Sequence, residues 1–78
     1  MISEQALRDV HNAAIIDIEI HQSGASCRLE VLAAVDTAIS DLLAKGIDDP
    51  KALLDWAISK GIEAHSLSDD TIAWRRLQ

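Results

Sequence analysis

The sequence has one cysteine, Cys27, so no intrachain disulfide can form. A small secreted scaffold held together by disulfides is therefore excluded. A single thiol suits a reducing compartment, and we expect a cytoplasmic protein. We interpret Cys27 as a small apolar residue that is buried or half-buried.

Aromatic residues are nearly absent, because the chain has two tryptophans and no phenylalanine or tyrosine. Sheet proteins normally use aromatic side chains, whereas Ala, Leu, Ile and Val are enough to fill the space between helices. The composition therefore favours helices around an aliphatic core. Trp56 and Trp74 either anchor helices in that core or serve as contact points for a partner.

Long apolar runs are also missing, and none approaches the roughly 20 residues of a membrane span. Charged residues interrupt the first ten positions, which is not typical of a secretory signal. With 78 residues of which 49% are hydrophobic, the chain is suited to one small folded domain, residues 1–78, and no membrane contact is expected.

Basic residues are few, seven against thirteen acidic ones, which gives a net charge of −6 at pH 7. Phosphate backbones and anionic lipids repel such a chain, so nucleic acid is a disfavoured partner. The acids are scattered, which indicates a solvated acidic surface. One alternative function is an inhibitor of a nucleic-acid-binding protein, in which a ridge of aspartates imitates DNA phosphates. The residues of this ridge are Asp36, Asp41, Asp48, Asp49 and Asp55.

The three glycines divide the chain into pieces of helix length, as expected of residues just past helix C-termini. Lysines precede two of them, where a cation complements the helix dipole. Ser3, Ser26 and Asp49 stand at suitable N-cap positions, and Ser68 or Asp69 caps the last piece. We predict a mainly α protein, a small bundle of four helices over about 3–22, 27–45, 49–60 and 69–77.

Residues 15–31 also fit a different structure. From Ile16 to His21 apolar and polar residues alternate, which is a strand pattern, so an α+β fold with a β-hairpin of 15–21 and 27–31 is the alternative. As a helix, this segment leaves isoleucines outside the buried stripe; as a hairpin, it leaves an unpaired strand edge. Both structures predict a surface that requires a partner.

Because both the helix and the hairpin require a partner, we predict a function in binding other proteins. We expect a small acidic protein-protein interaction or regulatory module, non-enzymatic and homodimeric, of the accessory kind common in bacteria and phages, that also binds an unidentified protein. Its predicted interface residues are Ile15, Ile16, Ile18, Ile20, Trp56 and Trp74.

Signatures of catalysis and metal binding are missing from the sequence. It has no CxxC, HExxH or G-x-S-x-G motif and no glycine-rich phosphate loop. The histidines and Cys27 do not fall at ligand spacings. We therefore predict no catalytic residue, no cofactor and no metal.

A second alternative function uses residues 53–76. Leu53, Ala57 and Gly61 have the spacing of the first helix and turn of a helix-turn-helix DNA-binding regulator. The segment after them resembles a recognition helix in spacing only. Its candidate nucleic-acid contacts are Thr71, Arg75 and Arg76.

Overall fold

The computed structural model describes the backbone of residues 2–76 and the side chains of residues 2–67. This part of the chain is mainly helical and contains no strand. None of its helices is long and apolar enough to cross a membrane. Its elements are helix α1 (Glu4–His21), a 3-10 turn (Ala25–Cys27), helix α2 (Leu29–Ala44) and helix α3 (Pro50–Arg76).

The bundle of four helices is not confirmed: the described residues form three helices, because residues 50–60 and 69–76 of two predicted segments lie in one continuous helix, α3. Gly61 is buried inside that helix and does not end it. A Cβ atom at Gly61 would overlap Cδ1 of Ile18 and lie 3.3 Å from Cγ2 of Val35. At this glycine α3 therefore comes close to a side chain from each of the other two helices.

The β-hairpin predicted for 15–21 and 27–31 is not supported, because the first segment lies in α1 and the second runs from the 3-10 turn into α2. The alternating pattern has another cause. Ile18 continues the buried stripe of α1, and Glu19 accepts hydrogen bonds from the following loop. The neighbouring isoleucines at the surface are Ile16 and Ile20.

The core is aliphatic, as the composition predicts, and buried positions recur every three or four residues along each helix. Helix α3 packs against both other helices, while α1 and α2 touch each other much less. The largest fully buried side chains come from all three helices: Ile18, Val31, Val35 and Leu53.

Two of the predicted N-caps are confirmed. The hydroxyl of Ser3 and the carboxylate of Asp49 each accept a hydrogen bond from the backbone N–H three residues on, both at 3.1 Å. Ser26 does not cap α2. This helix begins at Leu29, and the residue before it, Arg28, has an extended conformation. Gly46 ends α2 as predicted, with φ of +83°, and its N–H donates to Leu43 at 3.0 Å in the manner of a Schellman motif.

Candidate functional site

Helices α2 and α3 leave an open groove of about 340 Å³ between them, which we call the α2–α3 groove. Its floor is built from small side chains, and four of the five lie on α2. Because small side chains let a further helix approach closely, such a floor suits the packing of another helix. The floor residues are Ala33, Ala34, Thr37 and Ala38 of α2 and Ala64 of α3.

Two large apolar residues of α3 stand beside this floor. Trp56 is 40% exposed and Leu67 is 61% exposed. They are eleven residues apart, about three turns, so they lie on the same side of the helix. A tryptophan beside small residues provides a large, stiff contact area of the kind that dominates binding energy at protein interfaces.

The ring of Trp56 is held by a neighbour on its own helix. The Nζ atom of Lys60 lies 4.6 Å from the ring centroid and 3.3 Å from Oε2 of Glu63. A cation over an aromatic face contributes about 0.5–1 kcal/mol at an exposed site. The contact restricts the rotamers of the indole, and a side chain ordered in advance loses less entropy in any further contact that it makes.

The polar edge of the groove is acidic. Glu30 and Asp41 lie along its α2 side, and both are exposed. Neither forms an ion pair with a basic side chain among residues 2–67. Among the described residues that line the groove, Lys60 is the one lysine, and it is already paired with Glu63. The groove therefore favours a partner that brings basic residues to its edge.

The predicted interface residues are not all in one place. Trp56 lies in the groove, whereas Ile16 and Ile20 lie on α1 and do not line it. These two isoleucines are 60% and 74% exposed, so they form a separate apolar area.

Two further interface predictions change with the structure. Ile15 is half-buried, and Ile18 is fully buried against Gly61, so we correct Ile18 to a core residue. The reason is spacing, because Ile18 follows the buried Ala14 by four residues, one turn along the same face of α1. Trp74 falls outside the residues whose side chains the structure describes.

The helix-turn-helix geometry predicted for residues 53–76 is not present. This segment is a single helix, so no turn separates a first helix from a recognition helix. Leu53 and Ala57 are buried in the core. The predicted nucleic-acid contacts lie outside the described side chains: Thr71, Arg75 and Arg76.

The aspartates of the predicted acidic ridge are exposed but do not share one face. Asp36 lies toward α1, where its Oδ1 is 2.8 Å from Nε2 of His11. Asp41 lines the α2–α3 groove, on the other side of α2. Asp49 serves as the N-cap of α3. An ordered imitation of a phosphate backbone is not formed by this arrangement.

A second polar cluster joins the end of α1 to the start of α2. The carboxylate of Glu19 accepts hydrogen bonds from the Ser26 hydroxyl at 2.6 Å, the Gly24 N–H at 2.7 Å and the Ser26 N–H at 3.1 Å. The Ser26 hydroxyl, followed by the two N–H groups, holds the pKa of Glu19 below its ordinary value, and the nearby His65 adds to this effect. All three bonds go to the connecting loop, so the cluster organises the fold.

The thiol and the other histidines form no comparable site. Cys27 is exposed, contrary to prediction, because the 3-10 turn buries Ala25 instead. His21 stays near Asp17 of its own helix, with 3.6 Å between Nε2 and Oδ1. Within the part of the chain that the structure describes, no group of three or more His, Cys, Asp or Glu residues could hold a metal ion.

Sequence reasoning found Trp56 but missed the groove around it. The signal was the run of small residues on one side of α2, spaced three and four apart as Ala34, Thr37 and Ala38. Without knowledge of where α3 lies, that run is typical of ordinary core packing. Comparison of the chain with protein-family models, with curated proteins and with solved structures found no match.

Proposed function

We propose that this protein is a small, non-enzymatic interaction or regulatory module that binds a helix of a partner protein in the α2–α3 groove. The observation that carries the proposal is the position of Trp56, a large apolar residue that is ordered by Lys60 and exposed beside a floor of small side chains. Trp56 and Leu67 are exposed on the same side of α3 beside this floor, and apolar surface gathered in this way marks an interaction site.

The shape of the groove favours a helix as the ligand. Two helices form its walls, and small residues on both allow a third helix to lie close to their backbones. In helix-in-groove recognition, a few large residues act as anchors while charged residues at the edge select the partner. The exposed acids Glu30 and Asp41 then select a helix with basic residues on its flanks.

Binding also fits the groove better than catalysis does. Among the described residues, its lining holds no histidine, cysteine or serine, and the hydroxyl of Thr37 has no histidine in the lining to accept its proton. The charged groups that do line it are Glu30, Asp41, Lys60 and Glu63, and the last two are paired with each other. They suit recognition of charge more than the transfer of a proton.

The test replaces Trp56 or Ile16 in turn with a photo-crosslinking amino acid in the native host and then measures affinity for the captured partner. We expect crosslinks from position 56 and none from position 16. With the purified partner, Trp56→Ala lowers affinity about thirtyfold, the effect of losing a contact worth about 2 kcal/mol.

Ile16→Ala is the matched control, because it removes an exposed apolar side chain from a surface outside the groove. Its affinity should equal that of the original protein, and circular dichroism should show both variants folded. Crosslinks from position 16 alone, or full affinity in Trp56→Ala, would contradict the proposal.

A further inference from the structure

Both walls of the α2–α3 groove carry residues with the same spacing. On α3 the apolar residues Trp56 and Leu67 are eleven positions apart, and on α2 the exposed acids Glu30 and Asp41 are also eleven apart. Eleven residues make about three helical turns, so each pair lies on one side of its helix with about 16 Å between its members along the axis. The two walls of the groove therefore match in length.

The register between the two helices can be read from one contact. Residues 45–49 join α2 to α3, a short connection of the kind that makes neighbouring helices antiparallel. Val35 of α2 faces Gly61 of α3, where a Cβ atom would lie 3.3 Å from its Cγ2. Positions farther along α2 are therefore level with positions farther back along α3.

This register combines an acid with a large apolar residue at each end of the groove. Asp41 comes level with Trp56 at one end, to within one residue. Glu30 comes level with Leu67 at the other end. A helix that lies along the groove therefore meets a negative charge on one flank and an apolar side chain on the other, once at each end.

The middle of the groove gives a basic side chain much less stabilisation. Among the described residues, the charges there are those of Glu63 and Lys60, which are paired with each other at 3.3 Å. The α2 residues level with them, Ala34 and Thr37, are small and uncharged. Basic residues of a partner are therefore stabilised at the two ends of the groove and not between them.

The acids at the two ends are not engaged by other side chains. Neither Glu30 nor Asp41 forms an ion pair with a basic residue among 2–67, so a partner gains both contacts without breaking one. A helix that packs between two others crosses them at about 20°, which changes the distance between the contacts by less than one residue. The separation of the two acids is thus a fixed measure along the partner helix.

We propose that the α2–α3 groove selects a partner helix that carries two basic residues eleven positions apart on one flank. This helix is at least about twelve residues long, and its lysines or arginines contact Glu30 and Asp41. Its opposite flank carries apolar residues, which cover Trp56 and Leu67. The inference rests on the proposed function and adds the charge spacing by which the partner is recognised.

The experiment measures how tightly two synthetic helices bind the full chain, by fluorescence anisotropy. Both probes are labelled, hydrocarbon-stapled peptides of about 18 residues and identical composition, with leucines on one flank and two lysines on the other. In the first probe the lysines are eleven positions apart. In the second they are seven apart, which keeps them on the same flank but only about 10 Å from each other.

The second probe can reach only one of the two acids at a time. When one of its lysines lies at Asp41, the other falls level with Glu63, which is already paired with Lys60. When one lies at Glu30, the other falls level with Lys60 itself, which repels it. We therefore expect the first probe to bind about threefold more tightly, the effect of one additional exposed ion pair.

Neutral variants of the two acids should remove this difference. With Glu30→Gln or Asp41→Asn, one acid is left, and either probe supplies one lysine to it. Asp9→Asn is the matched control, because it removes the same charge from an exposed position of α1, outside the groove. It should leave the threefold preference intact.

Charge reversal tests the same contact from both sides. Asp41→Lys should weaken the binding of the first probe, and replacing one of the probe's lysines by glutamate should restore it for that variant. The replacement should succeed at only one of the two lysines, and this lysine is the one that faces position 41. The result therefore also gives the direction of the bound helix.

Three other outcomes would contradict the inference, and they differ in what they mean for the proposed function. Equal affinity of the two probes, lost for both in Trp56→Ala, means that the groove binds a helix without measuring its charge spacing, so the proposed function stands. Affinity that is unchanged in Trp56→Ala and in both acid variants places the peptides outside the groove and contradicts both. If neither probe binds up to about 1 mM, the inference is overturned and the crosslinking test decides the proposed function.

Discussion

The two sides of α3 differ in what they contact. One side carries Leu53, Ala57 and Gly61, which are buried against the other helices. We also call this buried side the close side, because at Gly61 it has no side chain and Ile18 and Val35 lie against the helix there. The adjacent face, which starts three residues after Leu53, carries Trp56 and Lys60 beside an open groove. We infer that one side of α3 provides stability and the other provides binding.

The sharpest test of this contrast compares Leu53→Ala with Trp56→Ala in urea denaturation followed by circular dichroism. Leu53 is fully buried, so its truncation should lower the free energy of unfolding by about 2–5 kcal/mol. Trp56→Ala should cost less than Leu53→Ala in dilute monomer, although it removes more atoms. Equal losses from the two substitutions would show that both sides of α3 belong to the core.

The sequence predicted much of the helical framework because its signals are local. Ser3, Asp49 and Gly46 each act on neighbouring backbone groups, so their roles follow from the residues next to them. Gly61 could not be interpreted in this way. Its neighbours in space, Ile18 and Val35, are far away in sequence, and without them a glycine after a lysine predicts a helix end.

The candidate site was predictable only in part, because it too depends on residues that are far apart in sequence. An isolated tryptophan in a chain almost without aromatics marks Trp56 as a binding candidate. The groove needs two helices side by side, and helix–helix placement is not contained in either helix's own pattern. Ile18 illustrates the opposite error: its place in an alternating run suggested a surface, whereas its spacing of four from Ala14 decides its burial.

The packing of the close side of α3 can be tested with Gly61→Ala, because Ile18 and Val35 lie against the helix at this position. The added Cβ overlaps Ile18, and overpacking of this kind costs about 1–3 kcal/mol. Replacing glycine by alanine inside a helix returns about 1 kcal/mol, so the net loss of unfolding free energy should lie between zero and about 2 kcal/mol. Ser59→Ala, at an exposed position of the same helix, should change stability by less than about 0.5 kcal/mol.

A double-mutant cycle assigns this loss to one atom. Ile18→Val removes Cδ1, the atom that the new Cβ would overlap, so Gly61→Ala should cost less in that background than in the original chain. The urea midpoints of the four proteins give the coupling directly. Additive losses would mean that the overlap is relieved by movement of the helices, and the close side would then be less rigid than its packing indicates.

The smallest expected effect concerns the end of the buried side of α3, where His65 lies near the loop that Glu19 organises. Hydrogen bonds from Ser26 and Gly24 lower the pKa of Glu19, so its ionised form stabilises the folded state above the ordinary glutamate pKa of about 4.3. This stabilisation is lost as the pH falls through the lowered pKa. Glu19→Gln should therefore lower the urea midpoint at pH 7, and the difference from the original chain should shrink below about pH 4.3.

Ser26→Ala provides the matched comparison, because it removes the hydroxyl that lowers the pKa of Glu19 most and keeps both backbone donors. Its loss at pH 7 should be smaller than that of Glu19→Gln and should fade over the same acidic range. A Glu19→Gln difference that stays constant from pH 7 to about pH 3 would mean that the carboxylate's charge is not what closes this loop. The loop between α1 and α2 would then depend on packing alone.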